Sequence, residues 1–257
     1  MDTAPSEPVS SLPAAPPRQR WGLWTTLAWG LGGGLIMMGS QTLGAILYLI
    51  LFGKLQPGQP LTSEAINTNG PLIAFAFLVS APFVLGYFAL AVRLARANFV
   101  DYLAIKWPRW WHVVVGIVTV VAVLAISGFA ADASGQEMPA FMTGTFATAR
   151  DAGMLPLFIL SFVVIAPMEE EILFRGFLFR GLAPRLGPLV TIVLTAVVWS
   201  IVHLQYNWFF VAEIFLLGLT FGWLRWWSGS LILTFLLHAA NNGSALIAIA
   251  LMSGDSG

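Results

Sequence analysis

The chain has no cysteine among its 257 residues, only three histidines, and few charges. Without cysteine there are no thiolate metal sites, no cysteine nucleophile and no disulfides, although this leaves the redox compartment open. Charged residues make up 9% of the chain, against roughly 25% in soluble domains, which excludes an ordinary soluble domain. Lysine plus arginine and aspartate plus glutamate number 12 each. With no net charge, nothing marks nucleic acid as a partner. What is abundant is apolar: 58% of residues are hydrophobic and the mean hydropathy is positive. Such a chain is an integral, multi-pass membrane protein whose first partner is the lipid bilayer.

Residues 1–20 are rich in Pro, Ser and Ala and too polar to pack, so they read as a disordered tail. From Trp21 the apolar stretch is too long for a cleavable signal and reads as a span. Six to eight spans can be drawn, and seven fit best: 22–52, 71–92, 112–131, 154–182, 187–205, 208–225 and 230–250. Gly32-Gly33-Gly34 is a candidate break in the first. No apolar run alternates as a barrel strand would, so the fold class is all-α, a polytopic transmembrane helical bundle. Gly30/Gly34 and Gly218/Gly222 have the spacing of close helix contacts and read as packing devices.

Lysine and arginine in short loops set orientation. Arg18, Arg20, Arg93, Arg96, Lys106, Arg109, Arg180, Arg185 and Arg225 fall on one side of the seven-span scheme. Lys54, Glu64, Asp132, Glu137, Arg150 and Asp151 fall on the other. This predicts a cytoplasmic N-terminus. Trp107, Trp110, Trp111, Trp208, Trp226 and Trp227 lie near proposed span ends, as an aromatic belt would, and His112 beside them reads as interfacial.

One stretch conflicts with its surroundings. Pro167-Met168-Glu169-Glu170-Glu171-Ile172-Leu173-Phe174-Arg175 continues the apolar run Leu155–Ala166. A charge near the bilayer centre costs roughly 2.5–3.5 kcal/mol, while an apolar residue returns about 0.3–0.6. Four charges therefore cost on the order of 10 kcal/mol, against roughly 5 recovered from the run before them. This helix cannot face lipid on all sides. Its charges must point into protein or a wet cavity, which in a membrane is a functional hypothesis by default.

Two other polar islands lie at comparable depth. Counting about 1.5 Å per residue from turns on one face, Glu170, His203 and Asn242 all fall about 20 Å in, with His238 one turn shallower. At about 100° per residue, Glu170 and Glu171 point in different directions. Glu171 and Arg175 form an i,i+4 pair in the favourable order, which neutralises one acid and holds the helix. His238 and Asn242 share a face by the same spacing. Pro167 removes a backbone donor and predicts a local kink.

A carboxylate in such a cavity can take a proton from water, and a neighbouring imidazole can share that water. A second imidazole and a carboxamide opposite can donate to an oxyanion. Glu170 with His203, and His238 with Asn242, supply such a set, and the reaction class is peptide hydrolysis within the membrane. Two histidines and a glutamate could instead hold a divalent metal such as zinc whose bound water attacks. No HExxH is present, and the metal-dependent and metal-free versions both stay open, so the cofactor is unknown.

These residues resemble a known family. Glu170-Glu171-Ile172-Leu173-Phe174-Arg175 is similar to its EExxxR motif, Trp199–His203 to FxxxH, and His238–Asn242 to HxxxN. The family is the CPBP (Abi) group, which contains type II CAAX prenyl endopeptidases and bacterial bacteriocin-processing or self-immunity relatives. The resemblance covers about residues 155–245. It implies an all-helical intramembrane endopeptidase in which Glu170 and His203 activate water. His238 and Asn242 then lie on the oxyanion side, and Glu171 with Arg175 is a structural pair. It implies division into N-terminal transmembrane helices, 21–150, and a catalytic part, 151–257. It also implies a bacterial inner-membrane setting, with a peptide or membrane-protein substrate. One departure is Trp199, which stands where the motif has phenylalanine and reads as a bulkier cavity wall.

Two rival readings remain at this stage: a catalytically inactive scaffold or immunity protein of the same fold, and a proton-coupled transporter using buried Glu and His as a relay. No inverted repeat favours the transporter. Glu169 and Glu213 have no assigned role.

Overall fold

In the computed structural model the chain is described over residues 21–52 and 62–254. The proposed tail 1–20, with Arg18 and Arg20, and Lys54 lie outside the described residues. The helices are α1 (Leu23–Phe52), α2 (Ser63–Asn67), α3 (Gly70–Leu94), α4 (Phe99–Leu103), α5 (Trp110–Ala133) and α6 (Ala140–Asp151). A segmented helix follows: α7 (Leu155–Ile159), a π-helical stretch Leu160–Ile165, α8 (Ala166–Glu171), a second π-helical stretch Ile172–Leu178, and α9 (Phe179–Leu186). The chain ends with α10 (Pro188–Ile201), α11 (Trp208–Ser228) and α12 (Leu231–Gly254). Among the described residues there is no strand, so the all-helical bundle expected from composition is what forms. Among the described residues, five helices, α1, α3, α5, α11 and α12, are long and apolar enough to cross a membrane.

The outer helices carry the lipid face. On α5, Val114, Ile117, Val118, Val121 and Ile126 are all exposed, as are Leu31, Leu35 and Met38 on α1. The segmented helix is the inner element. It meets α1, α3, α10, α11 and α12, and every residue from Ile172 to Phe177 is buried. That placement is what makes the charges of Glu169, Glu171 and Arg175 tolerable, since all three are buried in protein.

Several expectations are revised. Gly32-Gly33-Gly34 does not break α1, which runs unbroken. Inside a bilayer an interrupted helix leaves backbone groups with no water to bond, a larger cost than glycine's weak helix preference. Gly32 and Gly33 instead admit Tyr87 and Phe88 of α3. The Gly30/Gly34 pair is only half a contact: Gly30 receives Leu178, while Gly34 has open space. Gly218 and Gly222 behave as expected, letting α11 approach Ala196 and Ile192 of α10. The irregularity expected at Pro167 takes the form of the π-helical stretch ending at Ile165. The fifth span ends at Ile201 rather than 205, so His203 lies in the turn after α10. Its Nδ1 bonds back to the Trp199 carbonyl at 2.7 Å, a side-chain cap on the helix end.

At one end of the bundle the loops carrying the cations meet. Ser230 Oγ donates to the Lys106 carbonyl (2.5 Å), the Leu231 amide donates to the Ala104 carbonyl (2.9 Å), and the Arg225 guanidinium lies 5.4 Å over Phe179.

Candidate active site

Three consecutive acids on α8 fan out to three environments. Glu169 is fully buried and accepts hydrogen bonds from Ser80 Oγ of α3 and Gln41 Nε2 of α1, the latter at 3.2 Å. Glu171 accepts from Arg175 Nη1 at 2.9 Å, with both side chains 1% exposed. Glu170, between them, lines a cavity of about 1730 Å³ together with Trp199, His203, Tyr206, His238 and Asn242. The divergence expected from helical rotation is therefore present, and it turns one acid of the three toward the open space.

Both imidazoles converge on Glu170. His203 Nε2 lies 3.9 Å from Oε1, and His238 Nε2 lies 4.0 Å from Oε2. These gaps are too long for direct hydrogen bonds and match a bridging water. The far ring nitrogens fix the tautomers, as assigned from their partners. His203 Nδ1 faces a carbonyl that can only accept, so it carries the proton and leaves the Nε2 lone pair toward Glu170. His238 Nδ1 donates to Glu171 Oε1 at 3.2 Å. Ring contacts hold both imidazoles: Tyr206 stacks on His203, and Phe221 stacks on His238 with centroids 5.3 Å apart.

The two π-helical stretches have a use here. A π turn displaces carbonyls from the regular ladder, and in a membrane each must find a donor. Asn242 Nδ2 of α12 donates to the Phe162 carbonyl (2.9 Å), and Arg225 Nε of α11 donates to the Arg175 carbonyl (3.0 Å). Asn242 lies on the cavity wall one turn from His238, with one amide hydrogen bound to backbone and a second remaining.

A tetrahedral zinc site with ligand bonds of about 2.0–2.1 Å would bring donor atoms to roughly 3.3 Å from one another. Glu170 and the two imidazoles are more widely spaced, and Glu170 Oε2 accepts from the Trp199 indole N–H at 2.5 Å. Among the described residues no group of three His, Asp or Glu side chains is arranged to hold a metal ion. The site in this arrangement does not fit one.

The sequence reading missed two partners. Ser80 and Gln41 lie in helices outside the motif region, and nothing in their local sequence marks them as partners of Glu169. The Trp199–Glu170 bond had a visible signal, a hydrogen-bond donor standing where the motif carries a plain aromatic ring, but it was read as a wall.

All of these motif residues fall within one comparison. Residues 152–244 match the family model of Rce1-like type II CAAX prenyl endopeptidases. The resemblance read from the three motifs is borne out over that segment, and the Rce1-like match spans Glu170, Glu171, Arg175, His203, His238 and Asn242. The likeness over this segment is to a family of endopeptidases. A 24.3 kDa uncharacterized protein of Escherichia coli is 37% identical over 105 residues, covering 38% of this chain and 46% of that protein. The chain thus spans under half the length of this curated relative. No solved structure gives a significant match.

Proposed function

We propose that the protein is an intramembrane endopeptidase that hydrolyses peptide bonds of membrane-associated or leader-peptide substrates in a bacterial inner membrane, with its N-terminus in the cytoplasm. The observation that carries this reading is the Glu170 carboxylate, held one water's width from two imidazoles, His203 just past the end of α10 and His238 on α12. A water in the gap between Glu170 Oε1 and His203 Nε2 donates one hydrogen to each acceptor, which points its lone pair at an incoming carbonyl carbon. As the carbon–oxygen bond forms, the water's proton moves to Glu170. The developing oxyanion takes hydrogen bonds from Asn242 Nδ2 and from His238 Nε2. The His238 donation requires the doubly protonated ring, because Nδ1 is already bound to Glu171. The carbon–nitrogen bond then breaks, and the proton held by Glu170 passes to the leaving amine. Glu171 and Arg175 position His238 and hold no substrate.

The test is a comparison of peptide termini in membrane and secreted fractions of cells expressing the protein or its Glu170→Gln variant at equal levels. Glutamine keeps the shape and can still accept from Trp199, but it cannot take a proton. Products made by the active protein are expected to fall about 10²- to 10⁴-fold in the variant, the usual contribution of a general base. Identical product sets would sink the assignment.

A further inference from the structure

Trp199 contacts four ionisable side chains: Glu170, His203, His238 and Arg175. Its indole N–H donates to Glu170 Oε2 at 2.5 Å, and its carbonyl takes the bond from His203 Nδ1 at 2.7 Å. Its ring meets His203 and His238 edge-on, each with centroids 5.3 Å apart. The Arg175 guanidinium lies 4.4 Å over its face. The residue is 2% exposed. We propose that Trp199 is a positioning residue for Glu170, holding Oε2 so that Oε1 faces His203 across the width of one water. The inference rests on reading Glu170 as the group that activates water.

The physical case is one of competing contacts. Glu170 Oε2 has a second donor within reach, the imidazole of His238 at 4.0 Å. A glutamate free to rotate closes that gap when His238 is doubly protonated, because a charge-assisted bond outcompetes one through water. Direct contact would remove the seat of the attacking water and tie up the oxyanion donor together. The indole N–H takes the same oxygen from a different direction and holds the carboxylate off His238. The donor is itself fixed in place. A Cβ added at Gly218 would lie 3.1 Å from Trp199 Cε3, so the ring is packed against bare α11 backbone on one side. Arg175 covers its face. Phenylalanine at this position keeps the ring's edge contacts but has no hydrogen to give.

Trp199→Phe isolates the N–H, because the backbone bond to His203 is present with any residue at 199. Kinetics are read on detergent-purified protein with a synthetic peptide spanning a cleavage site mapped by the Glu170→Gln comparison. We expect kcat to fall about 10- to 100-fold, the worth of a hydrogen bond to a charged group, with KM changed less than about twofold and Tm close to wild type. A second readout is the indole nitrogen–proton NMR signal that disappears in Trp199→Phe. In Glu170→Ala it is expected to move upfield while the other indole signals stay in place. Unchanged kcat and KM in Trp199→Phe, with Glu170→Gln inactive, would overturn this inference and leave the protease reading intact. An indole signal indifferent to Glu170→Ala would overturn it too. If wild type and Glu170→Gln cleave alike, the reading of Glu170 falls and this inference falls with it.

Discussion

Replacing Arg175 with methionine tests why so much charge is tolerated at the centre of this bundle. Arg175 and Glu171 are each 1% exposed and paired at 2.9 Å. Arg175 also donates to the Gly218 carbonyl (3.4 Å) and lies over Trp199 and Phe221. Methionine is flexible and fills much of the same space, so lost packing is a small part of the effect. The large part is Glu171, left buried with the His238 imidazole beside it at 3.2 Å and the Thr234 hydroxyl but no cation of its own. Removing one partner of a buried pair costs about 3–5 kcal/mol, and the lost contact over Trp199 adds about 0.5–2. Against a typical total of about 5–15 kcal/mol, the single variant should be barely folded. Replacing both partners, Glu171→Met with Arg175→Met, removes the stranded charge, and such apolar replacements are often neutral or stabilising by about 1–4 kcal/mol. The double variant should therefore recover most of the lost stability while remaining inactive, since His238 no longer has a partner to orient it. Equilibrium unfolding in mixed micelles, followed by tryptophan fluorescence, gives the three free energies. A single variant within about 1 kcal/mol of wild type, or a double variant as weak as the single, would refute the reasoning.

Ser80→Ala removes a buried donor to Glu169 and should lower stability by about 1–3 kcal/mol, measured by the same unfolding assay, with cleavage by the remaining folded protein little changed. Gly218→Val forces a side chain to within 2.9 Å of Ala196 Cβ and against Trp199, so α10 must shift. It should cost about 1–3 kcal/mol and reduce kcat through Trp199, whereas Gly34→Ala, which meets open space inside α1, should leave kcat as it is and raise stability by up to about 1 kcal/mol.

How much of this was legible beforehand follows the range of each interaction. The all-helical membrane class, the main helices and the pairing of Glu171 with Arg175 depend on composition and on spacing within one helix, and the sequence carries both. The end of α10 at Ile201 was not legible, because a side chain bonding back to its own helix leaves no break in the apolar pattern. Helix α6 was missed because it is weakly apolar and too short to read as a span. The π-helical stretches were missed for a different reason. In each, a carbonyl is bonded by a side chain arriving from another helix, Asn242 or Arg225, which local sequence does not show.

By itself the sequence determined that charged and imidazole groups would lie inside a bilayer, since the cost of facing lipid leaves a chain this apolar no other place for them. Only the packing of α3, α8, α10 and α12 decided which of three adjacent acids faces the cavity, and that Trp199 gives its N–H to that acid. Helical periodicity sets the angles between neighbouring side chains. Which angle meets water and which meets protein depends on other helices, whose partner side chains stand 29 to 128 residues away in the chain and whose positions local sequence does not encode.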